Sequence, residues 1–137
     1  MTDSVRIVQY RQYEQKQVLA LYRSVGWGIY TGAPERLSRA FAASLDCYAA
    51  FQGEMLVGLV RLVGDGESVV LIQDILVRPE YRRRGIGRRL IARVLLQYRR
   101  VRQIHVMTDD LPDTVGFYKA VGFTPAVQLR FCALTRM

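Results

Sequence analysis

Residues Val77–Arg88 read VRPEYRRRGIGR, and this stretch decides the fold. An almost wholly apolar segment, Ser68–Val77, comes before it, and a segment with an apolar helical stripe follows it through about Tyr98. The pattern predicts a strand, a glycine-containing turn and the N-terminus of a helix. The first amides of a helix lack internal acceptors, and the helix dipole adds partial positive charge there. The turn is therefore a candidate cradle for an anionic group.

Hydrophobic periodicity predicts the elements that precede this turn. Weak alternation indicates an edge strand over Val5–Val8, and three- and four-residue spacing indicates a helix over about Gln12–Val25. Pro34 suits the first position of a second helix. Period-two segments on either side of the turn Gln52–Glu54 predict a β-hairpin, and Ser68–Val77 has the pattern of a central strand buried on both faces.

The elements after the turn complete the predicted topology. We expect a strand over Gln103–Thr108, a short helix that Asp113 caps and Gly122 ends, and a last strand over Val127–Leu134. The order is then β-α-α-β-β-β-α-β-α-β. With no linker or repeat, the sequence predicts one domain over residues 1–137, of α/β (α+β) class, with a mixed central β-sheet flanked by helices.

Composition excludes several classes of protein. Half of the 137 residues are hydrophobic and 23% are charged, which is typical of a globular domain. No apolar run approaches the roughly 20 residues that span a bilayer, and the N-terminus lacks the features of a secretory signal, so we expect a cytoplasmic protein without membrane association. Two cysteines and His105, which lies in a strand-like run, are too few for a zinc site, so no metal is expected.

The net charge of +8 arises from 18 Arg and 2 Lys, and nine of the arginines fall within Arg82–Arg102. Nucleic acid, a phosphate-rich small ligand and a solvated helix face are the three explanations for such a cluster. Only Tyr81 and Tyr98, at the ends of the run, could stack on bases, and an apolar stripe interrupts the arginines. These features disfavour a nucleic-acid-binding basic domain, which stays as the alternative, and the interruption is typical of a solvated helix face.

Arg82-x-x-Gly85-x-Gly87 resembles the (Gln/Arg)-x-x-Gly-x-(Gly/Ala) pyrophosphate signature of the GCN5-related N-acetyltransferase (GNAT) superfamily. The strand residues Ile75–Val77 before the signature and the segment Phe117–Phe123 near the C-terminus also fit. The resemblance covers nearly the whole chain. It implies the GNAT fold.

Two further segments, Ser24–Trp27 and Gln73–Val77, are similar to small bacterial members and to the plastid serotonin-acetyltransferase branch. The resemblance implies an acetyl-CoA-dependent N-acetyltransferase, which transfers acetyl to a primary amine by direct attack on the thioester. A coenzyme A-binding sensor without turnover is the other reading that this resemblance leaves open. Family members often dimerise, so a homodimer is compatible with it.

The resemblance also implies where the co-substrate acetyl-CoA binds. The backbone of the strand before the turn would pair with the pantetheine arm through Ile75, Leu76 and Val77. A bulge in the family splays this strand from the next, here Gln103–Thr108, and the thioester lies in the gap. The pyrophosphate would be held by the turn and the first residues of the helix, namely Arg82, Arg83, Arg84, Gly85, Ile86, Gly87 and Arg88.

Tyr118 falls on the family's tyrosine that faces the coenzyme sulfur, which implies a general acid. A thiol pKa of about 8.5 against about 10 for tyrosine makes the proton transfer uphill by about 2 kcal/mol. The alternative is a core aromatic beside Phe117. Many members carry Asn seven residues earlier, where this chain has Leu111. Either the pair Asp109–Asp110 or Thr114 substitutes for it, or the contact is missing.

Asp74, three residues before Val77, is the candidate catalytic base. It could deprotonate the amine directly, act through water, or hold the cationic amine, and Asp109 and Asp110 are backups. The alternative is a structural carboxylate that pairs with an arginine or caps the bulge.

Trp27 and Tyr30 are the candidate acceptor-binding residues, as an aromatic wall or cation–π platform. The alternative for Trp27 is packing of its loop onto the sheet. The sequence leaves the acceptor open among arylalkylamines, polyamines, amino acids, aminoglycosides and protein lysines.

Overall fold

The computed structural model describes residues 4–137, which divide into two compact units with the boundary after Val106. The first unit contains β1 (Val5–Gln9), α1 (Gln15–Ser24), α2 (Gly28–Thr31), α3 (Pro34–Ala42), β2 (Asp46–Gln52), β3 (Met55–Gly64), β4 (Val69–Val77), a 3₁₀ turn (Pro79–Tyr81), α4 (Ile86–Gln97) and β5 (Gln103–Val106). The second unit contains α5 (Pro112–Ala120) and a 3₁₀ turn (Ala126–Leu129).

The strands that the structure describes form one sheet in the order β1-β2-β3-β4-β5. The first four are antiparallel neighbours, because short turns join β2 to β3 and β3 to β4. β5 is parallel to β4, because the chain crosses over through α4 before it returns to the sheet. A mixed five-stranded sheet flanked by helices confirms the predicted fold class.

A helix packs on each face of this sheet. α4 lies close to β3 at Gly58, where an added Cβ would stand 3.2 Å from Cγ2 of Ile86 and 3.4 Å from Cδ1 of Leu90. Side chains alternate along a strand, so Leu59 and Arg61 point to the opposite face. There Leu59 is fully buried in a core cluster with residues of α1 and α3. A larger residue at position 58 would push α4 away from the sheet.

A β-bulge reorients the middle of β4. Leu62 pairs with Ile72 and Arg61 pairs with Asp74, so Gln73 is an extra residue in β4. Leu62 lies four residues after Gly58, so Leu62 and its partner Ile72 lie on the face of the sheet that α4 covers. Arg61, one residue earlier, lies on the face that α1 covers. The extra residue therefore turns Asp74 to the α1 face, which a regular strand would not do.

The last predicted strand, Val127–Leu134, is wrong. Residues Ala126–Leu129 form a 3₁₀ turn, Arg130 has a left-handed backbone with φ of 63°, and the residues after it have no regular structure. Leu134 is 94% exposed. The alternating apolar pattern suits a strand, but a strand needs a partner, and the left-handed residue interrupts the extended backbone.

Three smaller expectations also differ from the structure. β4 alternates between buried and partly exposed residues, so it is not buried on both faces. A one-turn helix, α2, lies within the loop predicted between the first two long helices. The residue that precedes α5 is Leu111, with Pro112 as the first helical residue, so Asp113 lies inside the first turn and does not cap it.

Asp46 connects the edge of the sheet to α4. Its carboxylate accepts hydrogen bonds from the side chain of Gln9 (3.0 Å), the amide of Cys47 (2.9 Å), and the hydroxyls of Tyr48 (3.0 Å) and Tyr98 (2.7 Å). Burial alone would raise the pKa of Asp46, but these four donors lower it overall. β1, β2 and the C-terminus of α4 therefore meet at one ionised carboxylate.

We predict that Asp46→Asn lowers the free energy of unfolding at pH 7 by about 1–3 kcal/mol, because an amide cannot accept from all these donors. The folded-state pKa lies below the unfolded value of about 3.9, so the stabilisation is present above about pH 4 and is lost as the pH falls through the folded-state pKa. In urea unfolding between pH 3 and pH 8, the difference in free energy of unfolding between wild type and Asp46→Asn should therefore become smaller in acid. Glu67→Gln, at an exposed acid, is the control; a gap independent of pH would contradict the assignment.

Candidate functional site

The turn before α4 presents main-chain donors to solvent. Arg83 and Gly85 have left-handed backbones, with φ of 64° and 77°, and Gly85 is the residue that caps α4. The first α4 amide that finds a backbone acceptor within residues 4–137 is that of Arg89, which donates to Gly85 at 3.0 Å. The amides of residues 83–88 are accordingly without a backbone acceptor in this part of the chain. They are available to an external anion.

The space above this turn is open. Apart from Gly85 itself and its two chain neighbours, no residue has an atom within 4 Å of the position that a Cβ on Gly85 would take. The flanking side chains Arg82, Arg83, Arg84 and Arg88 are all exposed. The predicted cradle is thus accessible, positively charged and formed by main chain, as a phosphate group requires.

A buried tyrosine anchors the turn to the sheet. Tyr81 is 8% exposed, and its hydroxyl hydrogen-bonds the side chain of Gln52 in β2. The guanidinium of Arg84 lies over the Tyr81 ring, 4.8 Å from its centroid. The position of the cradle relative to the strands is therefore fixed by packing.

Other arginines of α4 have structural partners. Arg89 donates to the carbonyl of Val5 at 2.8 Å, and Arg93 donates to the carbonyl of Ile7 at 3.3 Å. The Arg93 guanidinium also lies 5.1 Å from the centroid of the Tyr48 ring. These side chains hold the edge strand β1, so part of the arginine cluster is explained without any ligand.

β4 and β5 separate next to the bulge. The parallel ladder runs from Val69–Gln103 to Ile72–Val106 and ends there. Within the described residues, the stretch from Asp74 to Val77 pairs with β3 alone. The other backbone edge of Ile75, Leu76 and Val77 is consequently open to an extended ligand that adds as a strand.

Asp74 lies at the point where these strands part, and it is ion-paired. It is 3% exposed, and its Oδ2 accepts from Nε of Arg61, 5% exposed, at 2.9 Å. The hydroxyl of Tyr22 donates to the same oxygen at 2.9 Å, and that of Tyr30 donates to Oδ1 at 3.1 Å. Arg61 also donates through Nη1 to Oγ of Ser44 at 3.1 Å. The carboxylate is therefore held by three donors from three elements.

Sequence reasoning considered an arginine partner for Asp74 but did not identify Arg61. The available signal was its position as the single charged residue within the apolar run Leu56–Val63. A charge in such a run needs a buried partner, and the hairpin pairs β3 with β4. The register that brings these two residues opposite each other depends on the bulge, which the sequence pattern does not reveal.

Trp27 and Tyr30 are brought together beside Asp74. The Trp27 ring lies 6.0 Å from that of Tyr30 and 5.8 Å from that of Tyr22, centroid to centroid. Both predicted acceptor-binding residues are half-buried, whereas Ile29 between them is 86% exposed. Burial first, and then the charge of Asp74, raises the pKa of the Tyr30 hydroxyl, so it stays protonated and donates.

Tyr118 lies in the second unit, on α5. It is 7% exposed and packs edge-on against Phe117 (5.1 Å between centroids) and Phe123 (5.7 Å). Burial, and then the charge of Asp109, raises the pKa of Tyr118 to about 12. It is therefore a weaker acid than an ordinary tyrosine.

The residues before α5 are exposed. Asp109 and Asp110 both face solvent, and Asp109 accepts from the amide of Leu111 at 3.1 Å. Leu111, in the place of the family's Asn, is 61% exposed. His105 is exposed on β5, 3.3 Å from the side-chain oxygen of Gln103, which confirms a strand-surface histidine.

Residues 4–137 contain neither a cluster of metal ligands nor a helix that could span a membrane. No group of three or more His, Cys, Asp or Glu side chains is placed to hold a metal ion. No helix in this part of the chain has the length and apolar character needed to cross a membrane.

The sequence matches the family model "Acetyltransferase (GNAT) domain" over residues 43–125. Among curated proteins, it is 27% identical over 89 residues to the uncharacterized N-acetyltransferase ycf52 of Gracilaria tenuistipitata, covering 64% of this chain and 48% of that protein. It is 30% identical over 93 residues to the chloroplastic serotonin N-acetyltransferase 2 of rice, covering 65% of this chain and 46% of the rice protein. The matched part thus spans about half the length of these relatives.

Solved structures agree with the sequence match. A GNAT-family acetyltransferase of Streptococcus pneumoniae is 34% identical, with a TM-score of 0.89 and 98% of each chain covered. Aminoglycoside N-acetyltransferase AAC(6')-Iy, solved in complex with CoA, is 20% identical, with a TM-score of 0.72 and 91% of each chain covered, and shares the fold. The family match over more than half of the chain, together with the likeness to the streptococcal structure, leads to one conclusion: this chain belongs to the GNAT acetyltransferase family.

Proposed function

We propose that this chain is an acetyl-CoA-dependent N-acetyltransferase that moves acetyl from the coenzyme thioester to a primary amine. The observation that carries the proposal is the Gly85 turn, whose outward amides adjoin a strand with one open backbone edge. A ligand that suits both features has a diphosphate at one end and an extended amide-containing arm at the other. Acetyl-CoA has this chemistry, and family membership supports it.

In this proposal the turn binds the diphosphate and β4 binds the arm. The amides of residues 83–88 donate to the phosphate oxygens, with the exposed arginines Arg82, Arg83, Arg84 and Arg88 adding charge. The backbone of Ile75, Leu76 and Val77 pairs with the pantetheine amides as an added strand. The thioester then reaches the bulge, where Asp74 lies.

The acetyl transfer needs a neutral amine and a leaving thiolate. The amine nitrogen attacks the thioester carbonyl, the C–N bond forms, and the C–S bond breaks as the sulfur takes its electron pair. We propose that Tyr118 donates a hydrogen bond, and then its proton, to this sulfur, while the extra proton on the attacking nitrogen leaves to water and water returns a proton to the tyrosinate. With its pKa raised to about 12, the gap to a thiol is about 3.5 units, or about 5 kcal/mol, larger than an ordinary tyrosine would give. The proton then moves only as charge develops on the sulfur.

We propose that Asp74 positions the amine and does not deprotonate it. A proton taken up by Asp74 would leave the buried guanidinium of Arg61 without its counter-charge, which costs several kcal/mol. The amine therefore loses its proton to water before the attack. At pH 7 an alkylamine with a pKa near 10.4 is about one part in two thousand neutral, so the rate is expected to rise with pH.

Calorimetry with acetyl-CoA, followed by thiol release on adding a panel of primary amines, tests the proposed function. We expect saturable heat and amine-dependent release of coenzyme A. Binding without release for any amine would indicate a coenzyme A-binding sensor. No heat with acetyl-CoA, combined with steeply salt-dependent DNA binding, would support the nucleic-acid reading.

We predict that Gly85→Glu abolishes coenzyme binding, because a carboxylate would occupy the open space above the cradle and a side chain strains the left-handed backbone. Isothermal calorimetry with acetyl-CoA measures the effect. Gly53→Glu is the matched control, since Gly53 also has a positive φ, 58°, and open space, but lies in the β2–β3 turn. If Gly85→Glu retains the wild-type affinity, the turn is not the phosphate site.

We predict that Tyr118→Phe lowers kcat by about 10²–10⁴-fold and leaves the affinity for acetyl-CoA unchanged, because it removes a proton donor and keeps the ring. Stopped or continuous thiol-release assays give kcat, and calorimetry gives the affinity. Tyr13→Phe is the control, since the hydroxyl of Tyr13 is buried without a hydrogen-bond partner among residues 4–137. An unchanged kcat would remove Tyr118 as the acid.

A further inference from the structure

We propose that Tyr30 is a specificity gate: its hydroxyl occupies, at Oδ1 of Asp74, the position that the acceptor amine takes on binding. The acceptor in this proposal is a monoamine with an apolar body. This inference rests on the proposed function and deepens it. It assigns separate tasks to the two oxygens of one carboxylate. It also names the side chain that must move.

The two oxygens of Asp74 have different environments. Oδ2 accepts from Tyr22 and from Nε of Arg61, each at 2.9 Å, and all three of these side chains are buried. Oδ1 accepts at 3.1 Å from Tyr30, the single hydroxyl that the described residues place on it. A carboxylate oxygen accepts about two hydrogen bonds, so Oδ2 is saturated, whereas Oδ1 has one hydroxyl donor. Because Asp74 is only 3% exposed, an amine reaches Oδ1 by taking the place of that donor. Tyr22 and Arg61 are positioning residues that aim Oδ1.

Tyr30 is held less firmly than Tyr22. It belongs to α2, a helix of four residues with none of them buried, whereas Tyr22 is fully buried on the ten-residue α1. A single helical turn has little stability of its own. The side chain of Gln73, the exposed bulge residue, acts on the Tyr30 hydroxyl by a hydrogen bond that opposes the rise of its pKa, so a solvent-accessible residue borders this hydroxyl. The geometry thus allows Tyr30 to leave Oδ1 while the rest of the network stays in place.

Charge and shape around Oδ1 indicate the class of acceptor. Arg61 already neutralises Asp74, so the pair offers an amine one acceptor atom and no net negative charge. Trp27 contributes an aromatic surface, and Ile29 is an exposed apolar side chain on the same short helix. One ammonium or amine group with an apolar body matches this surface, whereas a second ammonium on a polyamine would meet a chain of net charge +8.

The first test is Tyr30→Phe, which keeps the ring and removes the competing donor. We expect the KM for 2-phenylethylamine to fall by about 2–10-fold, the value of one displaced hydrogen bond, with kcat and the KM for acetyl-CoA within about twofold of wild type. A merely structural hydroxyl would leave the acceptor KM unchanged, and a hydroxyl that binds the amine would raise it. Either result overturns the gate. Tyr22→Phe is the contrast, since it removes a donor from Oδ2 and should lower the Tm without lowering KM.

The second test uses Trp27, the only tryptophan in the sequence. With coenzyme A present to prevent turnover, 2-phenylethylamine should change the tryptophan emission saturably, because the neighbouring Tyr30 ring moves. 2-Phenylethanol, which lacks the amine, should not change it, and Tyr30→Phe should shift the midpoint to lower amine concentration. If the enzyme acetylates the amine but the tryptophan emission does not respond to the amine, the proposed movement of Tyr30 is wrong.

The third test concerns the class of acceptor. We expect kcat/KM for 2-phenylethylamine to exceed that for spermidine by about tenfold or more. A preference for spermidine, or no thiol release with either amine, overturns the acceptor class. These failures differ from failure of the proposed function, because wild-type calorimetry with acetyl-CoA reports on the cradle and does not involve Tyr30.

Discussion

The buried ion pair between Arg61 and Asp74 is the interaction around which the α1 face of the sheet is organised. Both residues are buried, with side chains 6% and 3% exposed, so removing either one would leave an uncompensated charge away from water, a loss of several kcal/mol. The pair also draws in neighbours from separate elements: Tyr22 from α1, Tyr30 from α2, and Ser44 from the segment after α3. The bulge at Gln73 is the condition for all of these contacts, because without the extra residue Asp74 would face α4. One insertion in one strand therefore decides which face of the sheet carries the polar chemistry.

α4 has two roles that depend on the same packing. Its apolar stripe lies against the sheet at Gly58, which brings its N-terminus beside the end of β4. Its first amides then point outward, next to a strand whose partner β5 has already ended. The crossover connection produces this arrangement, because a strand, a helix and a parallel strand place the helix N-terminus at the carboxyl edge of the first strand. The proposed anion cradle and the open strand edge are in this way consequences of one topological unit.

The parts of the site that the sequence predicted are those determined by local structure. The Gly85 turn could be read directly, since a positive φ, a helix N-terminus and flanking arginines all belong to consecutive residues. The environment of Asp74 could not be predicted from the sequence, because it depends on the register between β3 and β4 and on a bulge that no periodicity marks. The strand expected over Val127–Leu134 failed for a related reason: alternation describes what one segment prefers, but pairing depends on residues elsewhere. Tyr118 was identified by resemblance, whereas its raised pKa follows from burial and from Asp109, which are properties of the folded unit.

Part of the arginine-rich composition is explained by hydrogen bonds to main-chain carbonyls. Arg6 donates to Gly53, Arg78 to Leu56, Arg89 to Val5, Arg93 to Ile7 and Arg99 to Leu96, in each case to a backbone oxygen. A guanidinium suits this task because its planar fork offers several donors at fixed angles and is less strongly hydrated than an ammonium, which favours Arg over Lys at these positions. The exposed arginines of the turn at 82–88 differ from this group, since they have open space above them and unpaired amides between them. A high isoelectric point in such a chain is thus weak evidence for nucleic acid, because several of the charges are already engaged in the fold and four more flank the turn where we propose that a diphosphate binds.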